Sequence, residues 1–182
     1  TGTFAGIFSQ QSNIDINNQM VVFNIRDLED ELRPVAMYIV LNHIWNIVRA
    51  KQKRRILIVD EAWQLMKYDD SANFLFSLAK RARKYYLGLT TITQDVEDFM
   101  SNKMGRAIVM NSSMQLLLKQ SSAAVDVLSD VFKLTSAERQ LLSSLPVGQG
   151  LFFAGQSHVH IQIVASETET GLITTSPVRY NR

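Results

Sequence analysis

The sequence predicts an α/β fold, a mostly parallel sheet flanked by helices, with a β-hairpin towards its C-terminal end. Three observations predict it. Ile56-Leu57-Ile58-Val59 is an apolar run of strand length that stops abruptly on Asp60-Glu61. Strand-like and helix-like segments alternate through the first two thirds of the chain, the pattern of right-handed crossovers. Two further apolar stretches, 151–154 and 159–165, flank Gly155-Gln156-Ser157 as a hairpin would.

In chain order, Thr1 to Met20 is polar and poorly periodic, and is expected to be loop or a small hairpin. Met20 to Ile25 is short, apolar and β-branched, which suits a buried strand. Acids from Asp27 to Glu31 precede Arg33-Pro34, a helix start, and Val35, Tyr38, Ile39, Leu41, Ile44, Trp45 and Val48 follow at helical spacing. Arg55 to Glu61 is the second strand, and a continuous apolar run of this kind belongs to a parallel sheet covered on both faces. A helix over about 71–86 carries Phe74, Leu78, Ala82 and Tyr85 on one stripe. Strands are expected at Leu87 to Gln94 and Met114 to Lys119, then helices over about 123–132 and 137–145, the latter opened by the capping box Thr135-Ser136-Ala137-Glu138. Residues 1–166 make up the domain and 167–182 read as a tail.

The 182 residues suit one domain with a sizeable core. Nineteen Lys and Arg against seventeen Asp and Glu give a net charge of +2, which neither demands nor excludes nucleic acid. The absence of cysteine excludes disulfides and thiolate metal sites and fits a reducing cytoplasm. No signal peptide pattern opens the chain, and a first residue other than Met suggests a piece of a longer protein. The most apolar stretch, Pro34 to Val48, contains Asn42, His43 and Asn46 and falls short of the ~20 apolar residues that span a bilayer.

Three patterns carry chemistry. The first is the pair Asp60-Glu61 at the carboxyl end of a strand. That end opens on the crevice where α/β proteins bind ligands, and two acids there are costly unless they meet a cation or water. In P-loop enzymes one acid holds Mg²⁺ and, in many motors, the next polarises the attacking water. A strand running into an acidic helix start is the alternative. The second is Gln94, ending the strand after Thr93: a neutral amide suited to sensing a phosphate or water, or a cap for the following helix. The third is the basic run Lys80-Arg81-Ala82-Arg83-Lys84, a solvated helix end or a source of an arginine finger. The run Lys51 to Arg55 reads as a charged turn, His158 and His160 share a strand face without nearby acids, and Trp45 and Trp63 read as core.

With these patterns in order, the chain resembles the C-terminal, RecA-like P-loop motor domain of the cytoplasmic ATPases of type IV secretion and conjugative transfer systems. The resemblance rests on Ile56 to Trp63, Arg81-Ala82-Arg83-Lys84, Leu87 to Gln94, Asn111-Ser112-Ser113 and Val147 to Leu151. It implies a Walker B-type site using ATP and Mg²⁺. Asp60 would hold the Mg²⁺ of Mg-ATP through water, Glu61 would be the catalytic carboxylate and Gln94 the sensor. Arg83 would be the finger, with Arg81, Lys84 and Arg106 next in line. It further implies a hexamer of the full-length protein, secretion-system components as partners, DNA as a further candidate partner, and a place at the cytoplasmic face of the cell membrane through the complex. A coupling-type DNA translocase and a non-catalytic assembly module are the alternatives. The departure is that no glycine is followed by lysine, so the G-x-x-x-x-G-K-[ST] phosphate loop is absent from these residues.

Overall fold

The computed structural model describes residues 18–25, 27–29, 31–50 and 53–173. The chain divides into two compact units, residues 1–47 and 48–182, and each has its own architecture.

In the first unit, helix α1 begins at Arg33 within its range Arg33–Ala50, with Pro34 in its first turn. Of the stripe read from the sequence Leu41, Trp45 and Val48 are buried, whereas Val35, Tyr38 and Ile39 are exposed, and Leu32 and Ala36 are buried instead. The strand expected at Met20–Ile25 does not form. Met20 and Val22 are 82% and 74% exposed, and no described strand pairs with the segment. Apolar, β-branched composition favours a strand only when a partner satisfies its backbone. The loop or hairpin expected at the start lies, to residue 17, outside the described residues.

The second unit begins with β1 (Arg55–Val59), α2 (Trp63–Met66) and α3 (Asp69–Ala82), which runs into a 3₁₀ turn at Arg83–Tyr85. Then come β2 (Leu87–Thr91), α4 (Val96–Ser101) and α5 (Lys103–Asn111). The rest is β3 (Met114–Leu118), α6 (Ser122–Phe132), α7 (Ser136–Ser144), β4 (Gln149–Ala154), β5 (Ser157–Gln162) and α8 (Glu167–Ile173). The expected tail therefore begins with a short exposed helix; its remainder lies outside the described residues.

Among the described residues parallel pairing is confined to β1–β2, in register Arg55↔Leu87 through Val59↔Thr91. β3, β4 and β5 form a separate antiparallel sheet in which β4 is central. The capping box is formed as the sequence required: Thr135 Oγ1 accepts from the Glu138 amide, and the Glu138 carboxylate accepts from the Thr135 amide. Val125 and Leu128 of α6, Leu142 of α7 with Leu145 just past its end, and Leu151 and Phe153 of β4 make one core, so two helices cover one face of this sheet.

β1 departs from the expected strand buried on both faces. Its side chains alternate, with Ile56 and Ile58 at 76% and 61% exposed while Val59 is buried. The face carrying Leu57 and Leu89 is partly covered; Ile56, Ile58, Gly88 and Thr90 share the open one.

The helices α4 and α5 were not read from the sequence. Asp95 caps α4 by accepting from the Asp98 amide, and Asn102 caps α5 by accepting from the Met104 amide. The two helices touch where Gly105 meets Phe99. A Cβ on Gly105 would lie 2.0 Å from the Phe99 carbonyl oxygen. Gly→Ala inside a helix ordinarily gains about 1 kcal/mol, but overpacking against backbone costs about 1–3 kcal/mol. Gly105→Ala is therefore expected to be net destabilising by up to about 2 kcal/mol, read as a lower urea midpoint. An unchanged or raised midpoint would show that α4 and α5 separate freely.

Candidate functional site at the carboxyl end of the parallel pair

The ladder between β1 and β2 continues past its last assigned residues. The Ile92 amide donates to the Val59 carbonyl, and the Ala62 amide donates to the Ile92 carbonyl, each at 2.9 Å. These bonds fasten the turn at 60–62 to the end of β2. Within that turn Glu61 takes a left-handed backbone, φ 50°, and its amide donates to Asp60 Oδ1 at 2.9 Å. The local bend directs the two adjacent carboxylates differently. Asp60 remains exposed, while Glu61 is half-buried.

The Glu61 carboxylate is held on both oxygens. The Gln94 side-chain amide donates to Oε1 at 2.6 Å across 33 residues of sequence. The Trp63 indole N–H donates to Oε2, also at 2.6 Å. Parallel register explains the first contact, because it brings the ends of β1 and β2 side by side. Gln94 does not cap the following helix; Asp95 does that. Trp63, read from the sequence as core, is half-buried and faces this site. Only its spacing two residues after Glu61 could have signalled the role.

Asp60 has one oxygen taken by a backbone amide, and the other has no hydrogen bond from the described residues. One exposed carboxylate with neighbouring water suits Mg²⁺, which keeps several waters and takes one or two protein carboxylates. The donor set therefore fits Mg-ATP held chiefly by other groups, and among the described residues no cluster of three His, Cys, Asp or Glu is present.

The basic residues lie elsewhere. Arg81 is in the last turn of α3, and Arg83 and Lys84 are in the 3₁₀ turn; all three are exposed. They precede β2, at the end of the strand pair opposite Glu61. Five residues of β2 separate the two ends, roughly 16 Å at ~3.3 Å per residue. That is further than an arginine side chain reaches. Arg106 donates from Nε to the Met100 carbonyl at 2.6 Å, which closes the C-terminus of α4.

Both histidines of β5 have side-chain partners. His158 does have an acid beside it: Nδ1 lies 3.0 Å from Glu138 Oε1, and the ring packs on Phe153. His160 pairs with Gln149. The Thr135 amide first, and His158 second, hold the Glu138 carboxyl below its ordinary value of 4.5. A depressed folded value means that the ionised carboxylate stabilises the fold above 4.5, and that this contribution is lost as pH falls through the folded value. Wild type is therefore expected to lose its stability advantage over Glu138→Gln as pH is lowered from neutral to below 4.5, read by urea unfolding at each pH. A constant difference across that range would remove Glu138 from the acid limb.

A parallel strand pair ending in two carboxylates, with a glutamine from the segment after the second strand beside one of them, is an arrangement compatible with a P-loop nucleotide hydrolase. The chain belongs to the TraG P-loop domain family, whose model matches residues 1–164. It is 24% identical over 139 residues to the type IV secretion system protein virB4 of Bartonella quintana (strain Toulouse), covering 75% of this chain and 17% of that protein. It is 29% identical over 131 residues to protein TraC of Escherichia coli (strain K12), covering 66% of this chain and 15% of that protein. The chain thus spans about a sixth of the length of these curated relatives. Among solved structures, VirB4 of Thermoanaerobacter pseudethanolicus superposes with a TM-score of 0.79 at 32% identity, over 86% of this chain and 44% of that one. The α/β fold is accordingly that of the matching part of the VirB4 structure.

Proposed function

We propose that this chain carries the hydrolytic half of the nucleotide site in an ATPase that energises type IV secretion or conjugation, by pilus assembly or substrate transfer. The observation that supports this best is the Glu61 carboxylate held by Gln94 at the mouth of the parallel pair. Glu61 accepts a proton from, and orients, the attacking water. Gln94 offers its amide to a phosphate oxygen. Asp60 would hold Mg²⁺ through its water shell, and the bound metal would supply charge neutralisation on the phosphates of ATP. Arg83 serves a neighbouring copy in a ring, a hexamer in this reading. The partners are other secretion components at the cytoplasmic face of the membrane.

The test is Mg²⁺-dependent phosphate release by the full-length protein. Turnover is expected there, and its absence with nucleotide bound would favour a non-catalytic assembly module. Residues 1–182 alone are expected to bind Mg-ATP weakly or not at all, because backbone amides and the lysine of a phosphate loop normally hold the phosphates. Micromolar affinity in calorimetric titration of these residues would refute that.

A further inference from the structure

Glu61 has two donors of different character. Gln94 is exposed and lies in the connection between β2 and α4. Trp63 is the first residue of α2, whose Leu65 and Met66 are buried. The Leu65 carbonyl is held in turn by the buried Ser71 hydroxyl, which donates to it at 2.6 Å. Lys67 Nζ sits 4.4 Å from the centre of the Trp63 ring, a cation–π contact that fixes the indole and draws electron density from its N–H. Indole donates and never accepts, so the 2.6 Å contact to Oε2 has only one sense.

We infer that Trp63 is a positioning residue for Glu61: it pins Oε2 so that Oε1 alone is released to water when Gln94 turns its amide to a phosphate oxygen. This rests on the ATPase reading above. With Gln94 in place both oxygens are occupied and the carboxylate is parked. With Gln94 withdrawn, Trp63 prevents the side chain from swinging away from the left-handed turn at Glu61. The indole thereby converts a loss of one hydrogen bond into a defined orientation for proton acceptance.

The structural arm uses the chain itself, labelled with ¹⁵N-tryptophan. Only Trp45 and Trp63 contribute indole signals. Glu61→Ala is expected to move the Trp63 Nε1–H resonance upfield and leave that of Trp45 in place. The functional arm uses the full-length protein with Trp63→Phe, which keeps a ring over Lys67 and removes the donor. It is expected to lower kcat about tenfold or more with KM nearly unchanged, the signature of a lost bond to a charged group in the transition state. Should Trp63→Phe fail to fold, benzothienylalanine at position 63 replaces only the N–H by sulfur and is expected to give the same kcat defect. An unmoved Trp63 resonance, or wild-type kcat in the folded donor-free variant, overturns the inference. Normal turnover in Glu61→Gln would instead take Glu61 out of the mechanism while leaving the hydrogen bond standing, and absence of turnover in the wild-type full-length protein would overturn the ATPase reading.

Discussion

Replacing Glu61 by glutamine in the full-length protein is expected to leave Mg-ATP binding intact and to cut turnover by about 10²–10⁴-fold, the usual weight of a positioned proton acceptor. Glutamine keeps the length and planarity of the side chain, and its carbonyl still accepts from Trp63 Nε1. What disappears is the negative charge that orients water and takes its proton. Asp60→Ala has a different signature, because the exposed Asp60 is the carboxylate proposed to hold the metal: Mg²⁺-dependent nucleotide binding should weaken along with turnover. The check is calorimetric titration beside steady-state phosphate release on both variants. Hydrolysis near the wild-type rate in Glu61→Gln would take that carboxylate out of the mechanism.

Arg83→Ala is expected to cost roughly 10³-fold in turnover, the scale of a finger supplied from outside the site in other P-loop enzymes. Arg83 and Glu61 occupy opposite ends of the same two strands, so Arg83 cannot serve the Glu61 of its own chain. It is exposed, and among the described residues its guanidinium has no hydrogen bond or ion pair. Mixing Arg83→Ala subunits with Glu61→Gln subunits should therefore restore part of the activity, since some interfaces then hold an intact member of each pair. Lys84 and Arg81 are close along the chain and would soften the loss. If mixed rings form and nothing returns, Arg83 is structural. Full activity of Arg83→Ala alone would pass the role to Arg81 before Arg106, whose Nε already serves the Met100 carbonyl.

The elements that the sequence made legible are those decided by local chemistry. The Thr135 capping box, the apolar run of β1 and the helical stripe through Leu78 and Ala82 all formed. Asp60, Glu61 and Gln94 met because a parallel register leaves little freedom in what lies beside a strand end. The failures share one cause, a partner distant in sequence. Met20 to Ile25 has strand composition but no described strand beside it. α4 and α5 are short, and Gly105 interrupts the second as a helix breaker would, although close approach to Phe99 is what it provides. The acid beside His158 stands twenty residues earlier, on α7, where no motif spacing would look for it. Trp63 was within two residues of Glu61, but a tryptophan in an apolar helix announces burial rather than a single N–H.

The left-handed backbone at Glu61 sets folding against work. Glycine adopts that conformation without strain, whereas a residue with a Cβ gives up on the order of 1–2 kcal/mol there. Judged by foldability alone, glutamate is a poor choice for position 61, and a protein of ordinary marginal stability notices a deficit of that size. Under the role proposed for Glu61, a laboratory search for heat-resistant variants that did not also demand ATP turnover would drift towards Glu61→Gly and arrive at a sturdier domain without hydrolysis. On that proposal, thermal tolerance and power output are competing specifications at this one turn.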